Sequence, residues 1–367
     1  AFVGDGSGLT GISSSVNSST HLDSNYSIAI GGVVSATNSV AVGYQALSSN
    51  TTGSYNTAVG YQSLTNNTTG SYNSSNGAYA LLNNTTGSYS TAVGYQSLSL
   101  TTTGTANTAI GYQSLFFNTS GSFNTALGWQ SLILNTSGNW NTAIGNTALY
   151  SNSTGYRNSA IGNESLFKNT IGINNSANGF ATLYNNTSGN YNTAHGSIAG
   201  YTNATGSYNT FIGSNADVAS NNLTNATAIG ANAIVDASNK IRLGDNNITV
   251  IEAEVSLTTS SDRRLKANIV NTKYGLETIL KLNPVDYILK SNGLAQIGFI
   301  AQDIKPLIPE AVNGKEGILE KGETLGITYS SLIPVLTKAI QEQQQQLEAQ
   351  QILIQSLLER LETLENK

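Results

Sequence analysis

The sequence predicts a mainly β chain: a stack of short repeated coils, then a small α+β body and a long C-terminal helix. Three observations predict it. Glycine returns every 17 residues from Gly43 to Gly230, two thirds of the charge lies in the last 107 residues, and the final segment carries apolar residues in heptad register.

Composition sets the outer limits. Only 10% of the 367 residues are charged, against about 25% in ordinary soluble domains. Such a bias invites a reading as low-complexity disorder, but 39% hydrophobic residues and 18 Tyr oppose it, because disordered chains are poor in aromatic rings and rich in charge. A net charge of −5 without a basic run leaves no footprint for a nucleic-acid backbone. No apolar run approaches the roughly 20 residues that cross a bilayer, so membrane insertion is not expected. With 0 Cys there are neither disulfides nor thiolate metal sites, and no metal or cofactor is expected.

Charge also marks the main boundary. From Ser24 to Tyr156, 133 residues pass without Asp, Glu, Lys or Arg, whereas the last 107 hold 25 of the 37 charges and all 4 prolines. Two kinds of structure therefore join near residue 250, and the chain divides into 1–26, repeats over 27–247, a neck over 248–259, a body over 260–330 and a helix over 331–367.

The repeat comes first. One glycine series runs through Gly43, Gly60 and Gly77 to Gly230, and a second from Gly53 to Gly206 keeps the same step of 17. The unit reads Asn-Thr-Ala-Val-Gly-Tyr-Gln-Ser-Leu, followed by a polar stretch such as Thr-Asn-Asn-Thr-Thr-Gly-Ser-Tyr. Thr57 to Tyr61 is short and β-prone, and the Asn-Asn-Thr-Thr-Gly stretch has the residues that turns and positive φ favour. One unit cannot bury enough surface alone, so neighbours must stack, and at about 4.8 Å per strand twelve coils make a shaft of roughly 55 Å. Ala58 and Gly60 share one strand face, leaving Val59 and its equivalents to fill a narrow core. So small an interior favours a homotrimer sharing a central core.

Asn38-Ser39-Val40-Ala41-Val42-Gly43 and Asn158-Ser159-Ala160-Ile161-Gly162 resemble the head of trimeric autotransporter (YadA-like) adhesins, a left-handed parallel β-roll. That resemblance implies a trimeric surface fibre, although such heads repeat at a shorter period. Ala1 in place of Met reads as a processed product or a fragment of a longer fibre, and Phe2 to Thr10 resembles the linking motif of longer fibre proteins.

Aromatic residues recur at two positions of the unit. Tyr61, Tyr95, Tyr112, Trp129 and Trp140 form a candidate glycan platform, but a ladder of rings packed on themselves is the favoured reading, because a repeat-locked position needs no ligand to explain it. Asn-X-Thr sequons recur too, but the repeat generates them. Glycan cleavage normally needs two carboxyl groups about 5 to 10 Å apart. The uncharged repeats have none, and Glu164 and Asp217 lie three repeats apart. His21 and His195 read as turn or surface residues. A regular Thr column at Thr57, Thr91, Thr108, Thr125 and Thr142 keeps ice binding as a further alternative, beside a purely structural spacer.

After Lys240 to Asp245 and an apolar alternation over Val250 to Val255, expected as final strands, comes Ser260-Ser261-Asp262-Arg263-Arg264-Leu265-Lys266. With Tyr274-Gly275-Leu276 and Ile297-Gly298-Phe299-Ile300-Ala301-Gln302-Asp303, this stretch is similar to the intramolecular chaperone domain of tail fibres and tailspikes, classed as S74 peptidases. The resemblance covers about 258–367. It implies self-cleavage between Ser260 and Ser261, with Ser261 as nucleophile and Lys266 as base. A serine hydroxyl becomes useful when a neighbouring base takes its proton, and an unprotonated lysine can serve. Spacing alone favours a helix cap at Ser-Asp and a solvated lysine, and it is the resemblance that implies the dyad; Asp262 is assigned to capping. The event would occur once per chain, as processing.

Within the body, Leu276 to Leu282 predicts a short helix, Val285 to Leu289 a strand, and Asn313-Gly314 a turn. Last, Ile333, Ile340, Leu347, Ile354 and Leu361 take a positions and Leu336, Gln343, Gln350, Leu357 and Leu364 take d, with Leu353 and Leu358 widening the seam toward three strands. The expected partners are two further copies and a cell-surface glycan or receptor, on a virion or at a bacterial surface.

Overall fold

The computed structural model describes residues 21–22, 28–30, 38–255, 258–290, 293–317 and 324–366. The chain divides into two compact units, Ala1–Asp245 and Asn246–Lys367. Of the expected linking segment, only the backbone of His21–Leu22 lies within the described residues.

The first unit is a β-solenoid of about twelve turns. Each 17-residue turn contributes one three-residue strand, such as Thr57–Val59 or Thr108–Ile110, and the strands join one 15-stranded sheet in chain order. Apart from the first pair, His21–Leu22 antiparallel to Ile28–Ile30, pairing is parallel, and along the repeats it is in register with them: Thr57 faces Ser74, Ser74 faces Thr91 and Thr91 faces Thr108. The step shortens at the ends, where Ile28 faces Val40 and Thr227 faces Ile241.

The core differs from expectation. The middle residue of each strand points inward, so Ala58, Ala92 and Ala109 are fully buried, while Val93, Ile110 and Leu127 after them are exposed. The large inward residue is instead the leucine of Gln-Ser-Leu: Leu64, Leu98 and Leu115 have no exposed surface. A coil this narrow has room for one large side chain per turn, and alanine leaves that room. A compensating pair shows the limit. Gly200 stands in the leucine column, and Phe211, in the alanine column of the next strand, fills the space that a Cβ on Gly200 would occupy. One chain thus closes its own interior, and burying this core requires no second or third copy.

Two buried asparagine columns complete the interior. Asn135 Nδ2 donates to Gly138 O at 3.0 Å and to Asn118 Oδ1 at 2.8 Å, and Asn152 repeats the pattern one turn on. In the second column Asn124 Nδ2 donates to Gly138 O at 2.8 Å, while its Oδ1 accepts the backbone N–H of Asn141 at 3.0 Å. These side chains satisfy each other and the backbone, which removes most of the cost of burying them.

Positive φ also falls elsewhere than expected. Gly60 has φ +133, Tyr55 +59, Gln62 +51 and Leu64 +52, whereas the Asn-Asn-Thr-Thr-Gly stretch does not supply such residues. The corners are therefore built from Gly, Gln, Leu and an aromatic residue. A Cβ at Gly60 would run into the backbone of Gly77, so this column admits glycine alone.

The second unit contains helices Leu276–Ile279 and Ala301–Ile304, hairpin strands Val285–Ile288 and Ala295–Gly298, the pair Val312–Gly314 with Leu325–Ile327, and helix Leu332–Glu365. Ile304, Ile308, Ala311, Leu332 and Val335 form the core, with Tyr274, Phe299 and Ile327 packed on it. The Glu342 carboxylate accepts the Leu276 N–H at 2.7 Å, capping the short helix from the long one. Asn313-Gly314 is not a turn but the end of a strand, held because Asn313 pairs with Gly326 and Gly314 with Leu325. Val250 to Val255 forms no strand; Val250 is 71% and Val255 79% exposed, with no ladder partner to hold them extended.

Candidate functional site

The residues around Ser261 are organised by one aspartate. Asp262 N-caps a 3-10 turn over Arg263–Leu265, its Oδ1 accepting the Arg264 N–H at 2.8 Å. The Arg264 guanidinium closes on the same carboxylate, Nη2 to Oδ2 at 2.7 Å, and holds the Asp262 carboxyl below the usual carboxylate range. Leu265 and Lys266 N–H groups donate to the carbonyls of Asp262 and Arg263, both at 3.1 Å, so the chain reverses tightly.

That reversal folds Lys266 back over the start of the turn. Its Nζ donates to Ser261 Oγ at 2.6 Å, across five residues of sequence. Ser260, Ser261 and Lys266 are all exposed in the single chain. A lysine takes a serine proton only as the free amine, and then the same short contact runs the other way, hydroxyl to nitrogen. The cap assigned to Asp262 is what brings the pair together.

Residues 261–313 match the Peptidase_S74 family, chaperone of endosialidase. The matched segment starts at Ser261 and includes the capped turn, Lys266, the hairpin and Pro309–Ala311. No curated protein matches the chain. The chaperone-of-endosialidase segment supports a C-terminal intramolecular chaperone role for this β-solenoid chain.

On the solenoid, the five platform residues lie in two separate columns. Tyr61, Tyr95, Tyr112 and Trp129 share one and Trp140 stands in the other. Rings of successive turns stack on one another: Tyr95 on Tyr112 at 5.6 Å and 13°, Tyr112 on Trp129 at 6.2 Å and 10°, Phe123 on Trp140 at 5.8 Å and 8°. Inside a run both faces of a ring are covered, so what solvent meets is ring edges. A third column, Tyr150, Phe167, Tyr184 and Tyr201, with Phe116 set apart from it by Ile133, escaped the sequence reading because only four of its rings are consecutive; these stack at 5.0 to 5.3 Å.

The remaining candidates stay apart. His195 ends a strand and faces outward. Asp217 is buried, accepts the N–H groups of Thr202 and Val218 at 3.0 and 2.8 Å, and is pushed above the usual carboxylate range by burial. Thr57, Thr91, Thr108, Thr125 and Thr142 align in the outer sheet face, with Ser74 between the first two. Among the described residues no cluster of three or more His, Cys, Asp or Glu could hold a metal, and no helix is long and apolar enough to cross a membrane.

Proposed function

We propose that the chain is one subunit of a homotrimeric fibre, as in tail fibres or adhesins, whose solenoid attaches to a cell surface and whose C-terminal unit assembles it and then cuts itself off. The observation that carries this reading is the Ser261–Lys266 contact at the first residues of the chaperone-of-endosialidase segment.

The chemistry follows from that contact. Ser261 Oγ attacks the carbonyl carbon of Ser260 while the Lys266 amine takes the hydroxyl proton. The new C–O bond forms as the peptide C–N bond breaks, and the proton passes to the departing Ser261 amine. Water then hydrolyses the ester, leaving a carboxylate at Ser260 and a free amine at Ser261. One bond is cut per chain.

Trimerisation is supported by two unpartnered apolar surfaces. On the helix, Ile333, Ile340, Leu347, Ile354 and Leu361 are 47 to 65% exposed although they sit in heptad register. On the solenoid, the outward column containing Val93, Ile110, Leu127 and Ile161 is exposed along the sheet. Holding three C-termini together raises the local concentration of the solenoids to about millimolar, which aids association that is otherwise slow.

The test is expression of the full chain followed by mass spectrometry and light scattering. A trimer with a cut between Ser260 and Ser261, abolished by Ser261→Ala, is expected. The same fragment from the Ser261→Ala chain sinks the mechanism, and a folded monomer sinks the fibre.

A further inference from the structure

The second aromatic column is interrupted at Ala106 and, further on, at Arg157 and Asn174, where Arg157 lies over the Trp140 ring at 5.4 Å; the gap at Ala106 is one turn wide with a ring on either side. Tyr55, Tyr72 and Tyr89 stack at 4.9 and 5.1 Å with planes within 6°, and Phe123 stacks on Trp140. Between Tyr89 and Phe123 the same position is Ala106, in the same backbone conformation, φ +55 against +60 and +59. The turn itself is intact, since Ala106 N–H donates to Ser88 O at 2.9 Å and Phe123 N–H to Thr105 O at 3.0 Å. Only the ring is missing. Tyr89 is 65% exposed, against 50% for Tyr72 with a ring on either side, and Phe123 across the gap is 53% exposed.

The first column shows how this chain treats a gap that is closed. There Ala78 interrupts the stack, but Tyr79 from the adjacent position turns in and meets Tyr61 at 5.3 Å and Tyr95 at 5.9 Å, edge to face. At Ala106 the adjacent residues are Thr105 and Asn107, which supply no ring. Asn107 is committed to the interior, donating to Gly121 O at 2.8 Å. Two ring faces therefore look at each other across one empty turn.

The dimensions select a ring. Two turns span about 9 to 10 Å, so one ring placed midway lies about 4.8 Å from each wall, inside the range in which ring pairs attract. The surroundings select its chemistry. Residues 24–156 carry no charge, and the hydroxyls of Ser88, Thr105 and Ser122 form the column beside the slot, with Thr105 N–H donating to Ser122 Oγ at 3.0 Å. An uncharged, hydroxyl-bearing ring with C–H groups on its faces suits both: the C–H edges meet the negative ring faces and the hydroxyls meet the rim.

We propose that the Ala106 slot is a binding site for one neutral pyranose ring, sandwiched between Tyr89 and Phe123. This deepens the attachment reading and rests on it, because it names where the solenoid holds a surface glycan and of what class.

The experiment compares the full chain with Ala106→Tyr and Tyr89→Ala on an array of neutral and acidic oligosaccharides, with thermal unfolding of each. Ala106→Tyr plugs the slot with the residue that neighbouring turns carry, so it is expected to fold, to melt no lower than the parent, and to lose neutral-glycan binding at least tenfold. Tyr89→Ala removes one wall and is expected to weaken the same binding. If the parent binds neutral glycans and both variants bind them equally well, the slot is overturned while attachment stands. Binding confined to acidic glycans overturns the slot's ligand class alone. No binding by the parent overturns attachment and the slot together.

Discussion

At the scale of single residues, the interior of the solenoid is decided by hydrogen-bond accounting. Thr101 stands where the buried asparagine column continues, and the consequence is visible on both sides. Asn118 Nδ2 reaches only a 3.4 Å contact with Thr101 Oγ1, and Asn84 Oδ1 is buried without a partner. Thr101→Asn places a donor against that oxygen and is expected to stabilise the chain by about 1 kcal/mol, read as a higher denaturation midpoint at unchanged slope. Asp217 carries the opposite signature. Burial raises its folded pKa above the unfolded value, so the folded state binds the proton more tightly. Its contribution is then greatest at low pH and falls as pH rises from the ordinary carboxylate range through the raised value. Unfolding temperatures of the parent and Asp217→Asn, compared at pH 4 and pH 7, are expected to differ in that the parent loses more on going to pH 7.

At the scale of elements, the coil and the helix solve the burial problem differently. Most coils accept three non-glycine residues at positive φ, for example Tyr55, Gln62 and Leu64, and the last ones two, such as Tyr208 and Asn215, at a cost of roughly 1 to 2 kcal/mol each. The offset comes from what those corners permit: Leu64 turns fully inward, worth about 1.5 to 3 kcal/mol, and the backbone pairs with the turns on either side. The helix Leu332–Glu365 buries only Leu332, Val335 and Ala339 in its own unit. Beyond them Leu347, Ile354, Leu357 and Leu361 remain about half exposed, with the seam unfilled. Leu347→Asp combined with Ile354→Asp places charge in that seam and is expected to abolish the proposed trimer in light scattering while leaving the helical content of the monomer largely unchanged.

At the scale of the molecule, two units divide the work that one sequence cannot do with one pattern. The solenoid is a chain of nearest-neighbour contacts, in which every turn depends on the next. Its polar columns and leucine column make a single chain self-sufficient for burial, so any threefold association has to be driven from the outward apolar column and from the helix seam. In the proposed function, a cut between Ser260 and Ser261 would part the solenoid from the C-terminal unit that assembles it and leave the fibre trapped behind an unfolding barrier.

Much of this was legible in the sequence. The 17-residue step fixed the parallel register, because a constant period allows only one pairing of equivalent residues. The heptads named the long helix, and the Ser260 to Lys266 stretch named the turn and its capping aspartate. What faces inward was not legible. Thr-Ala-Val-Gly-Tyr is compatible with either side facing in, and only closure of the coil showed that alanine and leucine share the interior while valine and isoleucine look out. Likewise nothing in Asn107 or Thr105 revealed that the gap at Ala106 stays open where the gap at Ala78 is plugged. Periodicity records which residues are equivalent; which way they point depends on how much volume one closed turn can hold.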